Sequence, residues 1–217
     1  MIRLVIKPLT RNAPAPKGFW GRLMIRKMNI GHAKMTAWAF EQLNLQMARA
    51  VVDIGCGGGK AVKRLASLAP EAVIYGVDRS PLCVEQAARE NKKYVAAGRV
   101  VIRVGSAGAL PFPDASVDVI TAVETVYFWN DWPKAFRDVR RVLKPGGIFA
   151  VVCDMVDDGD GTVHYQEVTR LVEMQIPSPT QLERAFLDAG FSDIRLCRHP
   201  QGWLCAVAKR PEAEILL

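Results

Sequence analysis

The sequence predicts an α/β fold: a doubly wound, seven-stranded, mostly parallel sheet with helices on both faces and an antiparallel last strand. Two observations carry this expectation. From residue 50 onward, short apolar runs alternate with segments of helical periodicity, which implies parallel pairing through crossovers. The last two apolar runs are joined only by His199, Pro200 and Gln201, a link that permits a hairpin and forbids a crossover.

In chain order, "AVVDIG" from Ala50 is the first strand, and "KAVKRLASLA" is a helix with Val62, Leu65, Ala66 and Ala69 on one face. "AVIYGVD" is the second strand. Ser80 as N-cap and Pro81 at the first helical position open a helix expected to run to about Ala96. "RVVIRVG" and "SVDVITAV" are the third and fourth strands. The intervening "SAGALPFPDA" is too rich in Pro and Gly to be a regular helix. Asp131 caps a helix that turns Trp132, Phe136, Val139 and Leu143 inward, and "KPGG" at 144–147 ends it. "IFAVVCDM" is the fifth strand. "SPTQLERAFLDAGF" is a helix capped by Ser178 and Pro179 and closed by Gly190, and "SDIRLCRH" and "GWLCAVAK" form the final hairpin. Two segments stand outside this alternation. Residues 1–45 contain "GFWGRLMIRKMNIGHAKMTAWAFEQL", one or two amphipathic helices, and residues 155–177 open polar and end as a short helix. Both are expected near the carboxyl edge of the sheet, where ligands bind in such folds.

With 217 residues, 50% hydrophobic and 24% charged, the chain fits one ordinary globular domain. The net charge of +7 is unevenly placed: eight basic residues and no acid lie before residue 41, leaving 21 basic against 22 acidic residues in the rest. A basic arm attracts nucleic acid, anionic surfaces or acidic substrates, but no nucleic-acid motif accompanies it, so a nucleic-acid partner is disfavoured. No apolar stretch approaches the roughly 20 residues of a membrane span, and "MIRLVIKPLTRN" is broken by Arg3, Lys7 and Pro8. A soluble, cytoplasmic protein is expected; a homodimer is compatible with the sequence. The five cysteines are odd in number and scattered, without a C-x-x-C pair or metal-ligand spacing, so free thiols and no metal are expected. Cys153, Cys197 and Cys205 sit in apolar runs as small hydrophobes.

The stretch "VVDIGCGGGKAV", residues 51–62, is the candidate ligand loop. A phosphate-binding P-loop needs a leading Gly and a hydroxyl after the Lys, where this chain has Ile54 and Ala61. A dinucleotide loop needs G-x-G-x-x-G, and its third position here is Lys60. The loop resembles instead the first motif of the class I, Rossmann-like S-adenosylmethionine-dependent methyltransferases, an acid followed by G-x-G-x-G: Asp53, Gly55, Gly57 and Gly59. Asp78, ending the second strand 19 residues after Gly59, "GSAGALPFPDASVDVITAVETVYFW" and "RVLKPGGIFAVV" are similar to later stretches of the same family. The resemblance covers roughly residues 48–208.

The resemblance implies S-adenosyl-L-methionine as cofactor, held by Asp53, Gly55, Cys56, Gly57, Asp78, Arg79, Ser106, Ala107 and Val123, with Trp38 from upstream. Asp78 would take the ribose hydroxyls and Arg79 would stack on the adenine. One departure is Ser106, where family members usually carry an aspartate. The acceptor end is expected after the fourth strand, at Glu124, Tyr127, Phe128, Trp129 and Asn130, with Glu124, Tyr127 and His32 as catalytic candidates. Phe128 and Trp132 also read as core residues. "MNIGHAKMTAWAF" resembles the N-terminal lid of some small bacterial members, with Asn29, His32 and Trp38 closing over the cofactor; His164 and Tyr165 are further candidates for a base. The implied division is a basic N-terminal arm and helical lid at 1–45, a methyltransferase domain at 46–210 with a substrate-side insertion at 155–177, and a tail at 211–217. The expected activity is in-line methyl transfer to a small-molecule acceptor. Two other readings are a macromolecule (RNA or protein) methyltransferase guided by the arm and a non-catalytic cofactor-binding protein. Against the first, "VETVYFW" lacks the Asn or Asp, Pro-Pro, aromatic motif of many nucleic-acid members.

Overall fold

A computed structural model describes residues 17–159 and 174–212. Two helices, α1 (Gly18–Gly31) and α2 (Ala33–Glu41), precede the sheet. Then come β1 (Ala50–Ile54), α3 (Lys60–Leu68), β2 (Val73–Asp78), α4 (Pro81–Glu90), α5 (Lys92–Ala96), β3 (Val100–Val104) and β4 (Val117–Val123). The chain closes with α6 (Trp132–Val142), β5 (Leu143–Cys153), α7 (Pro179–Asp188), β6 (Ser192–Arg198) and β7 (Leu204–Lys209).

The seven strands lie in the order β3-β2-β1-β4-β5-β7-β6. The first five pair in parallel, and β7 runs antiparallel to both β5 and β6, as the short His199–Gln201 link requires. The order reverses direction at β1, between β2 and β4, which opens a crevice beyond the carboxyl ends of these strands. Apolar residues of α2, α3 and α4 cover one face of the sheet, and α6 and α7 cover the other. On the second face Phe136, Phe149 and Phe186 meet with ring centroids 5.1–5.4 Å apart. Such pairs are each worth about 1 kcal/mol beyond their buried area. Val62, Leu65, Ala66 and Ala69 are buried together, and so are Phe136, Val139 and Leu143. Cys153 and Cys205 are buried and Cys197 half-buried, and none of the five thiols is paired.

Two boundaries differ from expectation. The helix from Pro81 breaks at Asn91 instead of running unbroken to Ala96, because the Asn91 amide turns inward and donates to Gly59 O and Ala87 O, 2.9 Å each. Its Oδ1 is buried without a hydrogen bond. "KPGG" ends α6 as expected yet belongs to β5, since Gly146 N donates to Arg210 O and Arg210 N to Gly147 O, extending the sheet outward. The short helix expected near the end of 155–177 falls largely outside the described residues. The helix of Ser178 has its full capping box with Gln181. Arm helix α1 packs against α2 and α4.

Candidate active site

A cavity of about 770 Å³ opens at the point where strand order reverses, walled by the loops after β1, β2, β3 and β4 and by α1 and α2. The loop after β1 is folded by its own backbone, Gly55 N and Cys56 N both donating to Val77 O and Gly59 N to Cys56 O, and the Asn91 amide ties its end at Gly59 O. Gly55, Gly57 and Gly59 have φ of +71°, +51° and +79°. Only glycine enters this region at no steric cost. A Cβ on Gly55 would lie 2.1 Å from Thr125 Oγ1. A Cβ on Gly57 would meet no protein atom closer than 3.9 Å, so it would occupy cavity space.

Two buried carboxyls stand behind this loop. Asp78 Oδ2 accepts from Gly57 N at 2.9 Å and Oδ1 from Ser80 N at 2.8 Å, which leaves the carboxyl acceptor capacity toward the cavity it lines. Burial raises its pKa, against these backbone donors and the charge of Arg79. Asp53 Oδ1 accepts from Thr121 Oγ1 at 2.7 Å. Burial pushes the Asp53 carboxyl up to about 7, the Thr121 bond opposing and the nearby Asp78 charge adding. A cation placed here would favour the ionised form of both.

Gly55, Cys56, Gly57, Asp53, Asp78, Arg79, Ser106, Ala107 and Val123 all line the cavity. Ser106 pairs with Ala109 in a tight bridge that folds the loop after β3 inward. Lys60 lies at the rim with its ammonium 2.9 Å from Glu90. Trp38 is a correction. It packs edge-on to His199, 5.2 Å between centroids, and beside Trp203, against the final hairpin and away from the cavity wall. The α2 face that reaches the cavity carries Ala33 and Thr36 instead.

At the other end, β4 runs out into Glu124, a non-glycine residue at φ +56°. Its buried carboxyl accepts at Oε1 from Tyr127 Oη (2.8 Å) and Asp154 N (2.7 Å). Burial, then the Asp154 charge, raises the Glu124 pKa well above the carboxylate range. His32, between α1 and α2, places Nε2 3.6 Å from Glu124 Oε2 and 3.9 Å from Asp154 Oδ2. Burial lowers the pKa of its imidazole, with Asp154 opposing. Phe128, Trp129 and Asn130 complete the wall.

Tyr127 is the second correction. It is 1% exposed and outside the cavity wall, its hydroxyl donating to Glu124 and accepting from Met155 N. Its hydroxyl is thus turned to Glu124 and the Met155 backbone, not to the cavity. Of the dual readings, Phe128 lines the cavity, while Trp132 stacks on Phe136 and donates to Val126 O. Of Asn29 only the backbone, in α1, is described; His164 and Tyr165 lie outside the described residues. Asp154 was missed by sequence reasoning. Its one signal is position, since it ends β5 as Glu124 ends β4. Arg64 and Lys134, also missed, line the cavity from the first turns of α3 and α6.

Residues 52–151 match the family described as "Methyltransferase domain". The uncharacterized methyltransferase YdaC of Bacillus subtilis is 26% identical over 180 residues, covering 82% of this chain and 92% of that protein. The 27-O-demethylrifamycin SV methyltransferase of Amycolatopsis mediterranei is 37% identical over 109 residues, covering half of this chain and 40% of the longer relative. Among solved structures, a SAM-dependent methyltransferase from Aquifex aeolicus superposes with a TM-score of 0.71 at 18% identity, covering 85% of this chain and 96% of that one.

Proposed function

We infer that this chain, a class I S-adenosylmethionine-dependent methyltransferase by its fold and its matched domain, transfers a methyl group to a small organic acceptor bound beside His32 and Glu124. The observation that carries the reading is the junction of the bare glycine loop with Asp78, fronting one large cavity at the point of strand reversal.

The wall fits the cofactor on two counts. The Gly57 backbone leaves open space that any side chain would fill, so a ligand approaches the main chain directly. Asp78 has lone pairs left for a vicinal diol, and Asp53 supplies a carboxyl suited to an ammonium group. When bound, S-adenosylmethionine supplies an electrophilic methyl carbon on a sulfonium sulfur. The protein's share is alignment and exclusion of water. Phe128 and Trp129 give the acceptor end an apolar wall, and His32 and Glu124 are its polar groups. The relative from Amycolatopsis, which by its name methylates an oxygen of a small molecule, favours an acceptor of that size.

We further read α1 and α2, within residues 1–45, as a lid over this cavity, because Ile25, His32 and Thr36 line it from above the strand ends. The catalytic domain then spans 46–210, with 155–177 on the substrate side and 211–217 as a tail. No helix among the described residues is long and apolar enough to cross a membrane, and scattered unpaired cysteines suit a reducing compartment, which supports a cytoplasmic site. Calorimetry with S-adenosylmethionine tests the central claim. Wild type should bind, and Asp78→Ala should bind at least about tenfold more weakly, the cost of one or two charge-assisted hydrogen bonds. No binding by wild type, or an unchanged affinity in the variant, would sink it.

A further inference from the structure

We propose that Asp154 is a positioning residue that fixes the His32 imidazole so that its Nδ1 takes the proton of a hydroxyl acceptor. This rests on the methyl-transfer reading of the cavity. Three elements bring the groups together: His32 at the α1–α2 junction, Glu124 at the end of β4 and Asp154 at the end of β5. One nitrogen, Nε2, faces both carboxyl groups. Among the described residues no hydrogen bond engages Nδ1.

The two carboxyl groups are not equivalent. Glu124 is buried and lines the cavity, where burial and then the Asp154 charge raise its pKa and disfavour its charged form. Asp154 is absent from the cavity wall, and its side chain is 36% exposed. From cavity to solvent the order is therefore His32, then Asp154. The Asp154 carboxylate facing Nε2 selects the tautomer with hydrogen on Nε2 and leaves the Nδ1 lone pair for the acceptor. The separations of 3.6 and 3.9 Å exceed hydrogen-bond length, as suits a pairing that tightens once the ring becomes charged.

The step balances as follows. The acceptor hydroxyl gives its proton to Nδ1, its oxygen bonds the methyl carbon, and the carbon–sulfur bond breaks with its electron pair staying on sulfur. The products are an ether, a neutral thioether and an imidazolium paired with Asp154, which returns its proton to solvent along the exposed side. Acceptors of this class are neutral hydroxyls such as phenols and enols.

Long-range proton–nitrogen NMR on the full-length, isotope-labelled protein reads the tautomer directly, with the His32 signals assigned by their loss in His32→Gln. At pH 8 wild type should show hydrogen on Nε2, Asp154→Asn should show mixed tautomers, and Asp154→Glu should restore the preference. Hydrogen on Nδ1 in wild type, or a ratio unchanged in Asp154→Asn, overturns the proposal. In methyl-transfer assays with phenol and with 4-nitrophenol, which is ionised at pH 8, Asp154→Asn should lower kcat for phenol about ten- to hundredfold at constant KM. The nitrophenolate rate should stay within about twofold. Equal losses for both acceptors would also overturn it. If S-adenosylmethionine failed to bind, the methyl-transfer reading would fall while the tautomer result still decided how His32 is held.

Discussion

The two ends of the cavity are built by different means. The loop after β1 presents main chain to the cavity, fixed by backbone bonds and by the Asp78 and Asn91 side chains, with three glycines at positive φ and every contact within ordinary hydrogen-bond length. The acceptor end is made of side chains from the α1–α2 junction and the ends of β4 and β5 that meet at 3.6–3.9 Å. The first end has one geometry and suits one ligand, whereas the second is assembled from parts that a few substitutions re-specify. That difference is where a common cofactor and a particular acceptor part company.

The comparison is broken most severely at Gly57. Gly57→Val should lower cofactor affinity at least about a hundredfold by calorimetry, since its branched side chain enters the cavity, while backbone strain costs folding only about 1–3 kcal/mol. Asp53→Asn separates binding from stability. The folded pKa of Asp53 is raised from 3.8 to about 7, so the native chain holds a proton that the unfolded chain has lost. Stability should therefore fall as pH rises from about 4 to about 7 and stay lower above it. The variant should be more stable than wild type at pH 8, by an order of a few kcal/mol in denaturant titrations, and the gain should vanish at pH 4. Its affinity for the cofactor should drop even so. Tyr127→Phe tests the acceptor end alone: kcat falls about tenfold as Glu124 loses a donor, with the cofactor dissociation constant unchanged. Lys60→Ala should matter least, below about twofold in affinity, because an exposed pair with Glu90 contributes under about 1 kcal/mol.

The same contrast explains what could be read from the chain. The strands, the hairpin and the glycine loop are local patterns, each written within a dozen residues, and Asp78 stands out as the acid that ends the second strand, where the family resemblance expects one. The acceptor end is not local. Asp154 reads as one more polar residue after an apolar run, and its partnership with His32 exists only once α2 lies across β4 and β5. Tyr127 and Trp38 misled for a related reason: an aromatic near a site is placed by the rotation of its turn, which buried Tyr127 under Glu124 and turned Trp38 toward His199. The break at Asn91 was equally hidden, since its cause, the carbonyl of Gly59, lies in a different loop.

That asparagine has a mechanical meaning. Its amide ties the ligand loop to α4, and α4 is also the seat of α1. The arm helix thus rests on the same element that holds Gly59: the glycine loop and α1 are seated on one and the same helix. The buried Oδ1 left without a donor is the cost of that rivet, one polar atom given up to hold the loop against the helix.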